Sequence, residues 1–126
     1  MIPVISHRKP PGFLLYYQAN TNIMIARIWH GKTNSNDFEA YTEFLKKVAI
    51  PDYQKTPGFK GLSFLRQIKG DEGHFNLVTY WENIDVIKNF AGEDLEKAKY
   101  YPEDDEFLLE FEEHVQHYEV FATLNI

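Results

Sequence analysis

Residues 77–92 (Leu-Val-Thr-Tyr-Trp-Glu-Asn-Ile-Asp-Val-Ile-Lys-Asn-Phe-Ala-Gly) constrain the fold more than any other stretch. Residues 74–82 alternate in character. Phe75, Leu77, Thr79 and Trp81 fall on one face, and His74, Asn76, Val78 and Tyr80 on the other. Both faces are bulky, so both should be covered. The period then changes. Asn83 suits an N-cap, and Asp85 suits the positive end of a helix dipole. Ile84, Ile87, Phe90 and Ala91 recur at helical spacing, and Gly92 is placed to stop the helix. A strand that turns directly into a helix leaves Trp81 between sheet and helix, as a core residue or as a pocket wall.

A chain of 126 residues that is 44% hydrophobic is long enough to bury the core such a unit needs. The formal charge of −6 gives no basic footprint for nucleic acid or an anionic membrane. There is no cysteine, which excludes disulfides, thiol catalysis and cysteine-based metal sites. No apolar run approaches the roughly 20 residues of a membrane span. His7, Arg8 and Lys9 precede Phe13–Tyr17, but an apolar block this short is not the core of a signal peptide. These features imply a cytoplasmic protein. Pro3, Pro10, Pro11 and Gly12 argue against regular structure in residues 1–21, read as an N-terminal extension that can pack on the body through Phe13–Tyr17. Residues 22–126 form the single domain.

The first strand is expected over 22–30, with Ile23, Ile25, Arg27 and Trp29 on one face, followed by a loop over Gly31–Ser35. A helix follows from about 37. Asn36 and Glu39 approximate a capping box, and Phe38, Tyr41, Phe44, Leu45 and Val48 form its apolar stripe. Pro51 is expected to end it. A second strand over 59–68 puts Leu62, Phe64, Arg66 and Ile68 on one face, and a short turn at 69–73 makes a hairpin with the third. Leu95, Ala98 and Lys99 suggest another helical turn. Residues 103–113 suggest a short amphipathic helix with a solvated acidic face. A last strand covers about 114–123, with Val115, His117, Glu119 and Phe121 on one side.

The order β-α-β-β-α-(α)-β defines an α+β, ferredoxin-like split βαβ sandwich. Its helices cover one sheet face. The other, with Val78 and Tyr80, is too apolar to stay bare, which implies a homodimer packed face to face as a dimeric α/β barrel.

The first strand and helix, Pro57-Gly58-Phe59-Lys60-Gly61, the strand ending Tyr80-Trp81-Glu82, and the close from Tyr100-Tyr101-Pro102 to His117–Val120 resemble the antibiotic biosynthesis monooxygenase superfamily over about residues 22–122. The resemblance implies a dimeric barrel with a pocket between sheet and helices. Some members oxidise phenols with O₂ and no cofactor, some are quinol monooxygenases, and some degrade haem. Trp81 matches the tryptophan that lines the pocket in the oxygenase and haem branches. The oxygenase asparagine one step up that strand face is Leu77 here, and Asn76 points the other way. The haem branch uses an asparagine on the first strand, where Arg27 stands, and a histidine on the second helix, where 84–91 has none. That weighs against haem degradation.

The five histidines form no helical metal pair, and His114 and His117 fall on opposite strand faces, so no metal is implied. Phosphate loops and nucleophile elbows are also lacking. His117 is a candidate base for a phenolic proton, and Arg66 a candidate anion holder. Trp81, Leu77, Thr79, Phe64 and Tyr100 are candidate substrate contacts. Three readings stand: a cofactor-independent monooxygenase of a small aromatic substrate, a non-catalytic binder of a small apolar or aromatic ligand (a haem-binding relative without the degrading residues included), and a structural dimer module.

Overall fold

The computed structural model describes residues 11–125, with side chains from Leu14 onward. It opens on helix α1 (Pro11–Ala19), where irregular chain was expected. Pro11 takes the first helical position, where its missing N–H is no loss. Leu14 and Tyr17 pack on the core. The part of the extension before Pro11 lies outside the described residues.

Strands β1 (Ile25–Asn34), β2 (Phe59–Lys69), β3 (Glu72–Trp81) and β4 (Gln116–Glu119) form one antiparallel sheet in the order β2-β3-β1-β4. With helices on one face, this is the ferredoxin-like α+β sandwich that the element order implies. β1 continues through the expected loop at 31–34, because Thr33 and Asn34 pair with Gly73 and Glu72. β2 and β3 make the hairpin, with Gly70 at φ +61° in its turn. β4 is shorter than expected, and residues 120–125 have no regular structure.

After a 3₁₀ turn at Ser35–Asp37, α2 (Phe38–Phe44) runs through a π turn (Leu45–Ala49) into α3 (Ile50–Gln54). The Asn36–Glu39 capping box does not form, and no side chain caps this start. Pro51 does not end the helix. It sits in the first turn of α3, and the Ile50 N–H reaches back to the Leu45 carbonyl. The π turn also corrects the phase. Tyr41, Leu45, Ala49 and Tyr53 are all buried, at a spacing of four. At 3.6 residues per turn, twelve residues would carry Tyr53 about 120° off the face of Tyr41. The wider turn brings it back.

Trp81 ends β3, and the Asn83 side-chain carbonyl accepts the Val86 N–H at 3.1 Å as the chain turns. A 3₁₀ turn (Asp85–Ile87) leads into α4 (Lys88–Ala91), which Gly92 ends at φ +88°. No helix forms at Leu95–Lys99. The segment begins in a turn closed by Lys97 N–H to the Asp94 carbonyl at 3.1 Å, and is then held by Ala98 N–H to the Glu113 carbonyl and Val115 N–H to the Glu96 carbonyl, both 2.9 Å. The expected helix at 103–113 shrinks to a 3₁₀ turn at Pro102–Glu106, after which the Leu109 N–H bonds the Lys32 carbonyl along β1. The core lies between sheet and helices, and Trp81, Ile25, Ile87, Tyr41 and Ile84 are among its most enclosed members.

Candidate functional site

A small cavity of about 10 Å³ sits in that layer. Its walls include Trp29 and Leu77 from the sheet, Tyr41, Leu45, Ala49 and Tyr53 from the α2–π–α3 run, and Tyr101 and Asp104 from the 3₁₀ turn. Such a space holds about one water-sized group. Asp104 is the acid that the sequence reading placed on a solvated face. Only 1% of it is exposed, whereas its neighbours Glu103, Asp105 and Glu106 face solvent. Its carboxylate accepts the Tyr41 hydroxyl at 2.8 Å and the Tyr101 N–H at 2.7 Å. Burial pushes its pKa up, and those two bonds only partly offset this. Burial also raises the phenol pKa values of Tyr41, Tyr53 and Tyr101, so all three stay protonated. Asp104 is the one carboxylate among the residues that line the cavity. Tyr101 donates to Asp52 at 2.7 Å, beside Lys99 at 3.1 Å. Trp29 is buried, and among the described residues its Nε1–H meets no acceptor. An unmade bond of this kind costs about 1–3 kcal/mol.

Behind the cavity lies a polar network that the sequence reading did not assemble. Arg27 is 2% exposed. Its guanidinium donates to the Leu95 and Lys97 carbonyls at 2.6 and 3.0 Å and to His117 Nε2 at 3.1 Å. Burial lowers its pKa to about 10, so it stays charged near neutrality. Thr79, opposite Arg27 in the sheet, donates to the Arg27 carbonyl at 3.3 Å and accepts Trp81 Nε1–H at 2.8 Å. Thr79 and His117 thus bond Arg27, Trp81 joins through Thr79, and His117 spends its Nε2 lone pair on the guanidinium.

Arg66 and Phe64 stand apart from that network. They line a groove of about 220 Å³ between β2 and the α2–π run, with Thr42, Leu45, Lys46 and Phe75. The Arg66 guanidinium lies 4.3 Å from the Phe38 ring centre and 3.0 Å from Glu39. Leu45 is a wall of both groove and cavity. Tyr100 packs edge-on against Trp29, and its hydroxyl donates to the Glu112 carbonyl at 2.5 Å. Trp81 is sealed among Tyr53, Phe59 and Phe90. Leu77 alone of the expected contacts reaches the cavity. The residues missed by the sequence reading are Trp29, Tyr41, Tyr53, Tyr101 and Asp104. The i, i+4 spacing of Tyr41, Leu45, Ala49 and Tyr53 is the sequence signal for this wall once Pro51 stands inside a helix.

On the opposite sheet face, Leu65 and Tyr118 are each about half exposed. There Met24, Ser63, Tyr80 and Val120 line a hollow of about 530 Å³ with Leu124. None of the described residues forms a three-ligand metal cluster, and no helix among them is long and apolar enough to cross a membrane.

A four-stranded antiparallel sheet with helices on one face, and a small cavity between the two layers, defines an α+β, ferredoxin-like sandwich. Its likeness to solved structures is one of fold. A Bacillus cereus protein assigned by name to the antibiotic biosynthesis monooxygenases is 16% identical, with a TM-score of 0.56, over 82% of this chain and 99% of that one. A heme-degrading protein of Mycobacterium tuberculosis is 21% identical, with a TM-score of 0.45, over 82% of this chain and 97% of that one. No family model and no curated protein matches the sequence.

Proposed function

We propose that the protein binds a single-ring phenol or quinol between its helices and sheet and oxygenates it with O₂ without a bound cofactor. The observation that carries this reading is Asp104, a buried carboxylate of raised pKa among protonated phenols. A base whose pKa is lifted toward neutrality is suited to taking a weakly acidic proton. The ring sits in the groove between Phe64 and Phe75, with Arg66 and Lys46 at its anionic end. Displacing Leu45 joins groove to cavity and brings the hydroxyl to Asp104. The groove is smaller than an ordinary drug-sized pocket, which restricts the ligand to one ring. In the keto form of the substrate, the ring CH₂ becomes C=O. One oxygen atom of O₂ enters the ring, and the other leaves as water with both hydrogens.

Oxygen uptake by the metal-free protein with hydroquinone and catechol tests the reaction. Uptake above the protein-free rate, reduced at least tenfold in Asp104→Asn, is expected. No uptake with either substrate overturns the oxygenase reading. The small size of the cavity favours a second reading, in which the groove binds the ring without turnover. Saturable binding of hydroquinone with no oxygen consumed would select it. We also place a second copy of the chain on the open sheet face, over Leu65, Val78, Tyr80 and Tyr118, which makes the working unit a homodimer.

A further inference from the structure

Trp29 is seated with unusual care for a residue whose only polar atom is left over. A methyl group at Gly31 would come within 2.4 Å of Trp29 Cη2 and 2.8 Å of Cζ3. The strand therefore leaves out a side chain to receive the benzo edge of the indole. Leu108 closes over the same place, 3.2 Å from that methyl position, and Tyr100 packs edge-on at 5.9 Å. With the benzo edge on Gly31, the pyrrole edge carrying Nε1 is on the far side of the ring. Trp29 is 6% exposed and lines the cavity with Asp104, and Nε1 finds no acceptor among the described residues. Trp81 differs, because its Nε1–H is satisfied by Thr79. Buried donors are almost always paired, so an orphan in a cavity wall calls for a partner.

We infer that Trp29 Nε1–H is the donor that holds the oxygen of the ligand, opposite the carboxylate of Asp104. This rests on the phenol-binding reading above. Asp104 takes the hydroxyl proton, and Trp29 donates to the oxygen left behind. The pair makes the site selective for a ring bearing oxygen over a bare hydrocarbon ring of the same shape. Trp29 is thereby a specificity-determining contact, a role the sequence reading gave to no residue.

The chain has two tryptophans, hence two indole N–H signals in a ¹⁵N NMR spectrum, and Trp29→Phe assigns them by deletion. The probes are phenol and toluene. Phenol should move the Trp29 N–H signal downfield and leave that of Trp81 in place, whereas toluene should not produce the downfield shift. Trp29→Phe should bind phenol at least fivefold more weakly and toluene equally well. Phenol binding with an unmoved Trp29 signal overturns this inference alone. Binding of neither probe overturns the phenol-binding reading as well. If Trp29→Phe does not fold, Trp81→Phe assigns the same two signals, and the wild-type spectrum then decides the matter.

Discussion

Trp81 offers the sharpest test of whether a pocket exists beside the end of β3. Its ring is fully buried, with ring centres of Phe59, Phe90 and Tyr53 at 5.5, 5.9 and 6.3 Å. Trp81→Ala removes the whole indole from a packed site and should cost about 3–5 kcal/mol, because the aromatic neighbours can collapse only in part. Trp81→Phe keeps an aromatic wall at about 1 kcal/mol. It also strips Thr79 Oγ1 of the donor it meets at 2.8 Å, which adds about 0.5–1.5 kcal/mol. The two variants should therefore stand about 2 kcal/mol apart. Urea unfolding followed by far-UV circular dichroism measures both, at one protein concentration because association would add to apparent stability. In heating, each kcal/mol should appear as roughly 3–5 °C. A loss below about 2 kcal/mol in Trp81→Ala would mean that one side of the ring already borders unfilled space. The sealed-core description would then be wrong, and the ligand site would have to include Trp81.

Asp104→Asn should gain stability relative to the wild type as pH rises. The folded-state pKa of Asp104 is raised by burial, so its favourable term is complete below the unfolded value of about 3.9 and is lost as pH climbs through the folded value. Calorimetry at pH 4 and pH 7 should show the difference in melting temperature shift in favour of Asn; a constant difference refutes it. Arg27→Lys should cost about 2–4 kcal/mol, since an ammonium cannot span the Leu95 and Lys97 carbonyls as the guanidinium fork does. A loss under 1 kcal/mol by denaturant titration would refute that anchoring role. Light scattering at micromolar concentration should give the mass of a dimer, and Tyr118→Lys with Leu65→Lys should give a monomer. A wild-type monomer mass removes the second copy from the open face.

Much of the layout was legible because its periods are clean. The alternation through Phe75, Leu77, Thr79 and Trp81 gives β3 and its buried face, and the hairpin turn gives its partner. What failed to read was set by tertiary bonds. The Leu95–Lys99 stretch carries helical spacing, but its backbone is claimed by the Glu113 carbonyl, the Val115 N–H and the Arg27 fork. A single acidic run cannot reveal which acid turns inward. Asp104 does so because Tyr41, 63 positions earlier, meets it. His117 and Arg66 were grouped by chemistry alone. The sheet order puts them on β4 and β2, the two opposite edges. Pro51 misled for a local reason. Its missing N–H normally stops a helix, and a π turn upstream accommodates it instead.

Three departures from ideal folding rules converge on one cavity. The π turn supplies Leu45 and Ala49 to its wall, and without it Tyr53 would leave the face. Asp104 carries a desolvation cost that an apolar residue would avoid. Trp29 keeps an unmet donor inside a strand that has given up a side chain at Gly31 to seat it. Any one of these could be an accident of packing. They arise on different elements and from different physical causes, yet Leu45, Ala49, Asp104 and Trp29 all line the same cavity. Sequences that fold well satisfy their local rules nearly everywhere, and the exceptions cluster where function demands them. The Trp81 end of the layer breaks no such rule, since its aromatic packing is closed and its donor is bonded. That contrast moves the expected chemistry away from Trp81 and toward Trp29 and Asp104.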